Sequence, residues 1–170
     1  MDEKKKSLLM EKAAALLAHR AYSRGEMRKK LAASVNVPGD NDTEIESTLD
    51  RLEELRLLND ADYAYNFALY RMKESGWGAA KIDAALLRND VAKQVIAGAI
   101  ARVLEETNEA DFTLTAVIKK YCEKKGTPAD AGAARRLALY LARRGFDEEQ
   151  IFHAIEQVVP PEIFRKLTTD

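Results

Sequence analysis

The sequence is poor in residues that break helices and in residues that form cross-links. Its 170 residues include 8 Gly, 4 Pro and 1 Cys. The single cysteine, Cys122, excludes an internal disulfide, which suits a reducing compartment. Aromatic residues are only 7% of the chain, and the apolar share of 46% consists mostly of Ala and Leu, which are good helix formers. Together these features predict an all-helical protein.

Long hydrophobic runs are missing as well. The apolar stretch AAALLA near the start of the chain stops at His19 and is shorter than the apolar part of a signal peptide. No segment approaches the roughly 18 apolar residues that a membrane-spanning helix needs. We therefore expect a soluble protein that resides in the cytoplasm and does not contact a membrane.

Side chains suited to catalysis or metal binding are scarce. The two histidines, His19 and His153, are isolated in the sequence, and neither lies beside Cys122. The metal motifs HExxH and CxxC do not occur, and neither does a Walker loop or a GxGxxG pattern. The sequence therefore predicts no enzyme, no catalytic residues, no cofactor and no metal.

Charge is segregated along the chain, although the formal net charge is only −1. Residues 1–30 carry nine Lys or Arg against four Asp or Glu, whereas residues 31–62 carry two against nine. This asymmetry would let the chain meet a polyanion or an acidic partner locally, although solvated helix faces explain the same charges equally well. The basic residues concerned are Arg20, Arg24, Arg28, Lys29, Arg71, Lys73, Lys81 and Arg88.

Apolar residues recur at steps of three and four, as amphipathic helices require, and no stretch alternates for long enough to predict a strand. Three helix starts carry a capping signature, in which a side-chain oxygen accepts a hydrogen bond from an amide three residues further on. These pairs are Ser23 with Glu26, Thr43 with Glu46, and Asp147 with Gln150. Three glycines mark helix ends, namely Gly76, Gly126 and Gly145.

The apolar pattern also recurs over longer distances, as in tandem helical repeats that share an apolar seam. One set of three positions recurs twice: Ile45, Leu49 and Leu52; Ile96, Ile100 and Val103; Ile151, Ile155 and Val158. Further equivalent positions are Leu31, Leu86 and Leu141, and Asp90-Val91 with Gly145-Phe146.

We therefore predict an all-α fold of three tandem three-helix repeats, stacked into an elongated, curved body. The expected organisation is an N-terminal helix with repeat 1 over 1–58, repeat 2 over 59–105, repeat 3 over 106–159 and a C-terminal tail over 160–170. Helical spacing places one set of side chains in the core: Tyr63, Phe67, Tyr70, Leu137, Leu141, Ile151 and Ile155. Such a body suits an extended partner better than a small substrate.

The only tryptophan, Trp77, lies between Gly76 and Gly78 with basic residues on both sides. Tyr22 stands at the equivalent place of the first repeat, which indicates that each unit needs an aromatic ring there. Burying an indole removes about 150–250 Å² from water. We interpret Trp77 as a wedge between the first and second helices of its repeat. The alternative is a platform on which nucleic-acid bases stack.

Four stretches resemble the RecX family of bacterial regulatory proteins. They are AYSRGEMRKKL (21–31), EIESTLDRLEELRLLND (44–60), DYAYNFALYRMKESGWGAAKIDAALL (62–87) and RRLALYLARRGFDEEQIFHAI (135–155). The resemblance implies tandem three-helix repeats, no catalytic step and no cofactor. It also implies a protein that binds the active RecA–DNA filament within its helical groove and inhibits recombinase and coprotease activity.

Five basic residues are expected to contact the RecA filament or DNA, namely Arg28, Lys29, Arg71, Lys73 and Lys81. We expect direct binding to single- or double-stranded DNA to be weak. The pI is about 6.2, and Glu74 and Ser75 stand where many family members carry further positive charge. A monomer is expected. The alternatives are a helical nucleic-acid-binding protein that acts without RecA, and a helical scaffold or adaptor.

Overall fold

The computed structural model describes residues 3–34, 42–107 and 109–168, and the regular structure in these ranges is α-helical without any strand. The helices are α1 (Glu3–Leu17), α2 (Arg24–Ser34), α3 (Asp42–Glu54), α4 (Asp60–Lys73), α5 (Ala79–Arg88), α6 (Lys93–Thr107), α7 (Glu109–Lys125), α8 (Ala131–Arg144), α9 (Glu148–Val158) and α10 (Pro161–Thr168). The prediction of an all-helical fold is confirmed.

The helices follow one another in groups that can be compared with the predicted repeats. Helices α1 to α3 lie within residues 1–58, and α7 to α9 lie within 106–159. Helices α4 to α6 correspond to the predicted repeat 2 over 59–105, except that α6 continues two residues past that boundary, to Thr107. The segment expected as a tail contains α10. The stacking of three units into an elongated, curved body stays a prediction.

The chain divides into two compact units, Met1–Asn66 with Leu86–Ala99, and Phe67–Ala85 with Ile100–Asp170. In the first unit, α1, α2 and α3 pack against one another. Their buried apolar side chains form one cluster, made of Leu9, Ala13, Tyr22, Met27, Leu31, Ile45, Leu49, Leu52 and Leu58.

In the second unit, α9 packs against α7 and α8, and α10 lies on α8 and α9. The core cluster contains Leu114, Val117, Ala134, Leu137, Leu141, Phe146, Ala154, Ile155 and Val159. Helix α10 adds Ile163 and Phe164 to it. The predicted burial of Leu137, Leu141 and Ile155 is confirmed, and Ile151 is half-buried.

The leucines at equivalent positions of the three predicted repeats are all fully buried. Leu31, Leu86 and Leu141 are each 0% exposed. Each lies on the second helix of its group, which is where the 3.6-residue period places a core-facing side chain. Burial at these positions is therefore a property that the sequence pattern predicts correctly.

The prediction that Tyr63, Phe67 and Tyr70 face the core is wrong for Tyr70, which is 60% exposed. The other two rings are only half-buried. The fully buried face of α4 instead includes Ala64 and Ala68, each 0% exposed. Because alanine lets a helix backbone approach its neighbours closely, this face packs tightly and leaves the larger rings at its edge.

Two helix ends at equivalent positions of the predicted repeats carry different residues in the same backbone conformation. Gly145 ends α8 in the left-handed conformation with φ 88°, and Asp90 has φ 58° at the equivalent position after α5. In both turns the backbone amide of the following residue donates a hydrogen bond to a carbonyl of the helix that has just ended. Phe146 donates to the Leu141 carbonyl, and Val91 donates to the Leu86 carbonyl. Aspartate is one of the few residues other than glycine that visits this region routinely.

Two of the predicted capping signatures are confirmed. Ser23 Oγ accepts from the Glu26 amide at 3.0 Å while Glu26 Oε2 accepts from the Ser23 amide, and Asp147 with Gln150 forms the same box. The prediction for Thr43 is wrong, because α3 begins at Asp42 and already includes it.

Candidate partner-binding surface

The start of α2 carries Arg24, a cation that pairs with carboxylates of α3. Its guanidinium nitrogens lie 2.7 Å from Glu46, 2.8 Å from Asp50 and 2.8 Å from Glu53. Its backbone amide donates to Asp60 Oδ1 at 2.7 Å. Carboxylates of the acidic segment 31–62 are therefore engaged within the first unit, where they join α2 to α3.

Two of the predicted contact residues, Arg28 and Lys29, also lie on α2. Arg28 Nε contacts Glu46 at 2.7 Å and its Nη2 contacts Asp42 at 3.2 Å. The hydrogen bond with Glu46 raises the pKa of the Arg28 guanidinium. Lys29 Nζ lies 2.5 Å from Asp90 Oδ2. Both side chains reach solvent, but a carboxylate of the same chain already compensates each charge.

A polar network in the first unit centres on Glu26. Arg20 Nη2 lies 2.9 Å from Glu26 Oε1, and the Tyr63 hydroxyl donates to Oε2 at 2.8 Å. Burial opposes ionisation, but the hydrogen bonds from Arg20 and Tyr63 outweigh it and lower the pKa of Glu26. Burial is the larger cause, and the hydrogen bond to Glu26 the next, that together raise the pKa of Tyr63 to about 12. Asn89 Nδ2 donates to the same hydroxyl at 2.9 Å.

In the second unit, two cationic side chains lie over the Trp77 ring. The guanidinium carbon of Arg71 and the ammonium nitrogen of Lys81 each lie 4.7 Å from its ring centroid. Phe67 meets Trp77 edge to face, with centroids 6.4 Å apart. The indole is half-buried and contacts side chains of α4 and of α5. The wedge interpretation stays a prediction.

Arg71 is enclosed by aromatic rings. Besides Trp77, its guanidinium carbon lies 5.1 Å from the centroid of Phe67 and 5.8 Å from that of Tyr70. Its Nε is buried and has no hydrogen-bond partner among the described residues. Nη1 donates to Ser75 Oγ at a long 3.5 Å. The rings thus hold in position a cation whose Nε makes no hydrogen bond with the described residues.

The start of α5 approaches the end of α8 closely. The amide of Gly78 donates to the Arg144 carbonyl at 2.7 Å, and that of Ala80 donates to the Gly145 carbonyl at 3.2 Å. A Cβ at position 78 would collide with the Gly145 carbonyl. Lys81 Nζ donates to the Arg143 carbonyl at 3.2 Å, which holds its charge near Trp77.

The turn between α4 and α5 borders a cavity of about 190 Å³. Lys73 at the end of α4, Ser75 of the turn, Lys120 of α7, and Tyr140 and Arg144 of α8 contribute to its lining. Arg144 Nη1 also donates to the carbonyl oxygen of Ser75. Cationic side chains from three separate helices of the second unit therefore line the cavity.

The five predicted contact residues fall into two groups. Arg71, Lys73 and Lys81 lie in the second unit around Trp77 and the α4–α5 turn, and Arg28 and Lys29 lie in the first unit. The sequence-based selection missed two further cations, Lys120 and Arg144. Residues 143–145 spell Arg-Arg-Gly at a predicted helix end, which was the available signal for the second of them.

The described part of the chain offers little for catalysis or metal binding. Across residues 3–34, 42–107 and 109–168, no cluster of His, Cys, Asp or Glu is arranged to hold a metal ion. Burial raises the pKa of the Cys122 thiol, which disfavours the nucleophilic thiolate. None of the helices described is both long and apolar enough to cross a bilayer.

Curated proteins called "Regulatory protein RecX" are similar to this chain over most of its length. The protein from Chromohalobacter salexigens is 34% identical over 144 residues, which cover 82% of this chain and 86% of the relative. The protein from Mycolicibacterium vanbaalenii is 31% identical, with 85% and 81% covered. The protein from Chlorobaculum tepidum is 29% identical, with 97% of each covered. No family model matches the chain.

Solved structures share the fold. The crystal structure of RecX from Lactobacillus salivarius superposes with a TM-score of 0.77 at 17% identity, covering 91% of this chain and 97% of that protein. A second crystal structure, of a regulatory protein RecX, gives a TM-score of 0.74 at 16% identity, covering 92% and 78%. At this level of identity the likeness concerns the fold alone.

Proposed function

Since the chain belongs to the RecX family of regulatory proteins, we propose that it binds the RecA–DNA filament in its groove and inhibits recombinase and coprotease activity. The observation that carries the proposal is the extent of the similarity, which spans 82% of the chain for one relative and 97% for another. An inhibitor of this kind needs a docking surface rather than a reaction centre, and the basic groups of the second unit supply one.

We assign the main contact to Arg71, Lys73 and Lys81 of the second unit. Arg71 and Lys81 are held beside Trp77, so binding costs them less side-chain entropy than it would cost free chains. Arg28 and Lys29 contribute less, because carboxylates of the same chain already compensate them. A negatively charged face of the filament would therefore be met mainly by the second unit.

The experiment measures RecA-catalysed strand exchange and DNA-dependent ATP hydrolysis with the purified chain added. The wild-type chain should inhibit both. Replacing Arg71 and Lys81 together by Ala should raise the concentration needed for half-inhibition about three- to tenfold, as expected for two charge contacts of partly exposed side chains. Lys93→Ala, at the exposed start of α6, is the matched control and should behave as wild type. If RecA is unaffected by excess wild-type chain, the proposal is rejected.

Nucleic-acid binding without RecA is the second candidate, favoured by the convergence of Lys73, Lys120 and Arg144 on one cavity. Contacts to phosphates would make the affinity fall steeply with salt concentration. Binding of single-stranded DNA by the isolated chain should therefore be measured at two salt concentrations. Tight, salt-sensitive binding would favour this candidate, whereas weak binding alone together with inhibition of RecA favours the first.

We also propose that the chain acts as a monomer in the cytoplasm. Its single cysteine and the many charged residues on its helices support this proposal. Light scattering on the purified chain tests the oligomeric state, since a monomer should give a mass near 19.0 kDa. Cell fractionation tests the location.

A further inference from the structure

Within the second unit, the end of α8 holds the segment that carries two of the docking cations. The Gly78 amide donates to the Arg144 carbonyl at 2.7 Å, and the Ala80 amide donates to the Gly145 carbonyl at 3.2 Å. The first amides of a helix have no partner within that helix, so these contacts satisfy donors at the start of α5. The backbone of α8 therefore fixes the chain next to Lys81.

The side chain of Arg144 makes a different contact, with the turn between α4 and α5. Its Nη1 donates to the backbone carbonyl of Ser75. Its guanidinium carbon lies 5.0 Å from the ring centroid of Tyr140, one turn earlier on α8. Arg144 is half-buried. Its guanidinium is therefore held between a ring of its own helix and the backbone of the turn.

Ser75 also contacts Arg71, a cation to which we assign the main partner contact. Arg71 Nη1 donates to Ser75 Oγ at 3.5 Å, and its guanidinium carbon lies 4.7 Å from the Trp77 ring centroid. The turn thus accepts one hydrogen bond from Arg144 and one from Arg71. A shift of the Ser75 backbone would move both an acceptor of Arg71 and the ring of Trp77, two residues further on. The two arginines are therefore linked through the turn.

We propose, on the basis of the proposed function, that Arg144 is a positioning residue for docking. Through the Ser75 carbonyl it fixes the α4–α5 turn, and the turn keeps Arg71 against Trp77 in the arrangement that meets the partner. An arginine suits this role, because its planar guanidinium donates to the turn while its face lies near the Tyr140 ring. Fixing Arg71 in advance reduces the side-chain entropy that is lost on docking.

The first test compares inhibition of RecA-catalysed strand exchange by wild type, Arg144→Gln, Arg71→Ala and the double variant. Arg144→Gln should raise the concentration needed for half-inhibition about two- to tenfold, the range for one side chain that must be ordered during binding. In the Arg71→Ala background the same change should add less than about twofold, because residues that act as one unit are not additive. Arg136→Gln removes the same charge from an exposed position of α8 and should inhibit as wild type. Urea unfolding checks that every variant is folded under the assay conditions.

The second test needs no RecA and therefore separates this proposal from the proposed function. Trp77 is the only tryptophan of the chain, so quenching of tryptophan fluorescence by acrylamide reports the exposure of its ring. Arg144→Gln should increase the quenching, because Arg71 then leaves the ring. The same change should add nothing in the Arg71→Ala background, and Arg136→Gln should match wild type.

Two results would overturn the proposal. Equal losses of inhibition from Arg144→Gln in both backgrounds would make Arg144 a direct contact, and unchanged quenching would show that it does not hold Arg71 in place. If the wild-type chain leaves RecA unaffected, the proposed function is rejected. The quenching comparison then decides by itself whether Arg144 positions Arg71.

Discussion

The backbone amide of Gly78 donates a hydrogen bond to the carbonyl oxygen of Arg144 at 2.7 Å. A matching contact joins Ser23, whose hydroxyl donates to the carbonyl oxygen of Asn89. Gly78 follows Ser23 by 55 positions, and Arg144 follows Asn89 by the same number. Each compact unit thus contains a residue that precedes a helix and donates to a carbonyl oxygen 66 positions further along the chain, through a backbone amide in one unit and a hydroxyl in the other. The tandem repeat itself stays a prediction.

Gly78→Ala should destabilise the protein by about 1–3 kcal/mol, the usual cost of forcing an atom into a packed site. The added Cβ would meet the Gly145 carbonyl, and the two backbones would have to separate. Urea unfolding measures the change. Gly98→Ala is the control, because a Cβ there meets open space within α6 and should stabilise the helix by about 0.5–1 kcal/mol. A neutral Gly78→Ala would contradict the close approach.

Asp90→Gly should be more stable than Asp90→Ala by about 1 kcal/mol, because alanine pays the steric cost of a positive φ and glycine does not. Both variants lose the ion pair with Lys29. The difference between their free energies of unfolding therefore reports the cost of the positive φ alone. Urea unfolding of the two variants gives this difference directly. Equal stabilities would show that the turn after α5 relaxes out of the left-handed conformation.

Local features were predictable from the sequence because their determinants lie within a few residues of each other. The capping boxes at Ser23 and Asp147 need only a side chain and an amide three positions apart. The burial of Leu31 and Leu141 follows from a 3.6-residue period within single helices. The identification of Tyr70 as a core residue failed, because the same helix carries a second face of alanines that packs more closely.

The grouping of charges was not predictable, since it depends on contacts between distant positions. Lys73 shares its cavity with Lys120 and Arg144, which lie 47 and 71 positions further along the chain. Conversely, the predicted docking role of Arg28 rested on its charge alone. A linear sequence does not reveal that Glu46 lies 2.7 Å from it.

Leu141→Ala should destabilise the protein by about 2–5 kcal/mol, the range for removing a fully buried leucine side chain. Leu141 is 0% exposed at the centre of the second unit's core. Leu139 lies two positions away on the same helix but is 59% exposed, so Leu139→Ala should stay within about 0.5 kcal/mol of wild type. Chemical denaturation of both variants checks the prediction. Similar losses would mean that α8 is rotated from the described orientation.

Glu26 should make stability depend on pH in the acid range. Its pKa lies below the ordinary value of 4.5 in the folded chain, so its contribution is fully present above that value. The contribution is lost as the pH falls through the lowered pKa, because the unfolded chain then binds the proton more readily. The free energy of unfolding of wild type should therefore fall more between about pH 5 and pH 3 than that of Glu26→Gln.

The control for this pH series is Glu123→Gln, which alters an exposed carboxylate on α7. Its unfolding free energy should follow the wild-type curve, whereas that of Glu26→Gln should be flatter. Parallel curves for wild type and Glu26→Gln would show that the Arg20 and Tyr63 contacts do not favour the ionised carboxylate.

Trp77→Ala distinguishes the wedge from the stacking platform, because the two roles affect different measurements. A wedge that contacts Phe67 and holds Arg71 and Lys81 should cost about 1–3 kcal/mol of stability when removed. A platform should leave the unfolding free energy unchanged and weaken binding to single-stranded DNA instead. Tyr70→Ala, which removes a ring that is 60% exposed, sets the baseline for a surface aromatic. We expect Trp77→Ala to lose stability well beyond that baseline. The indole contacts side chains of both α4 and α5, whereas the Tyr70 ring is mostly exposed to solvent.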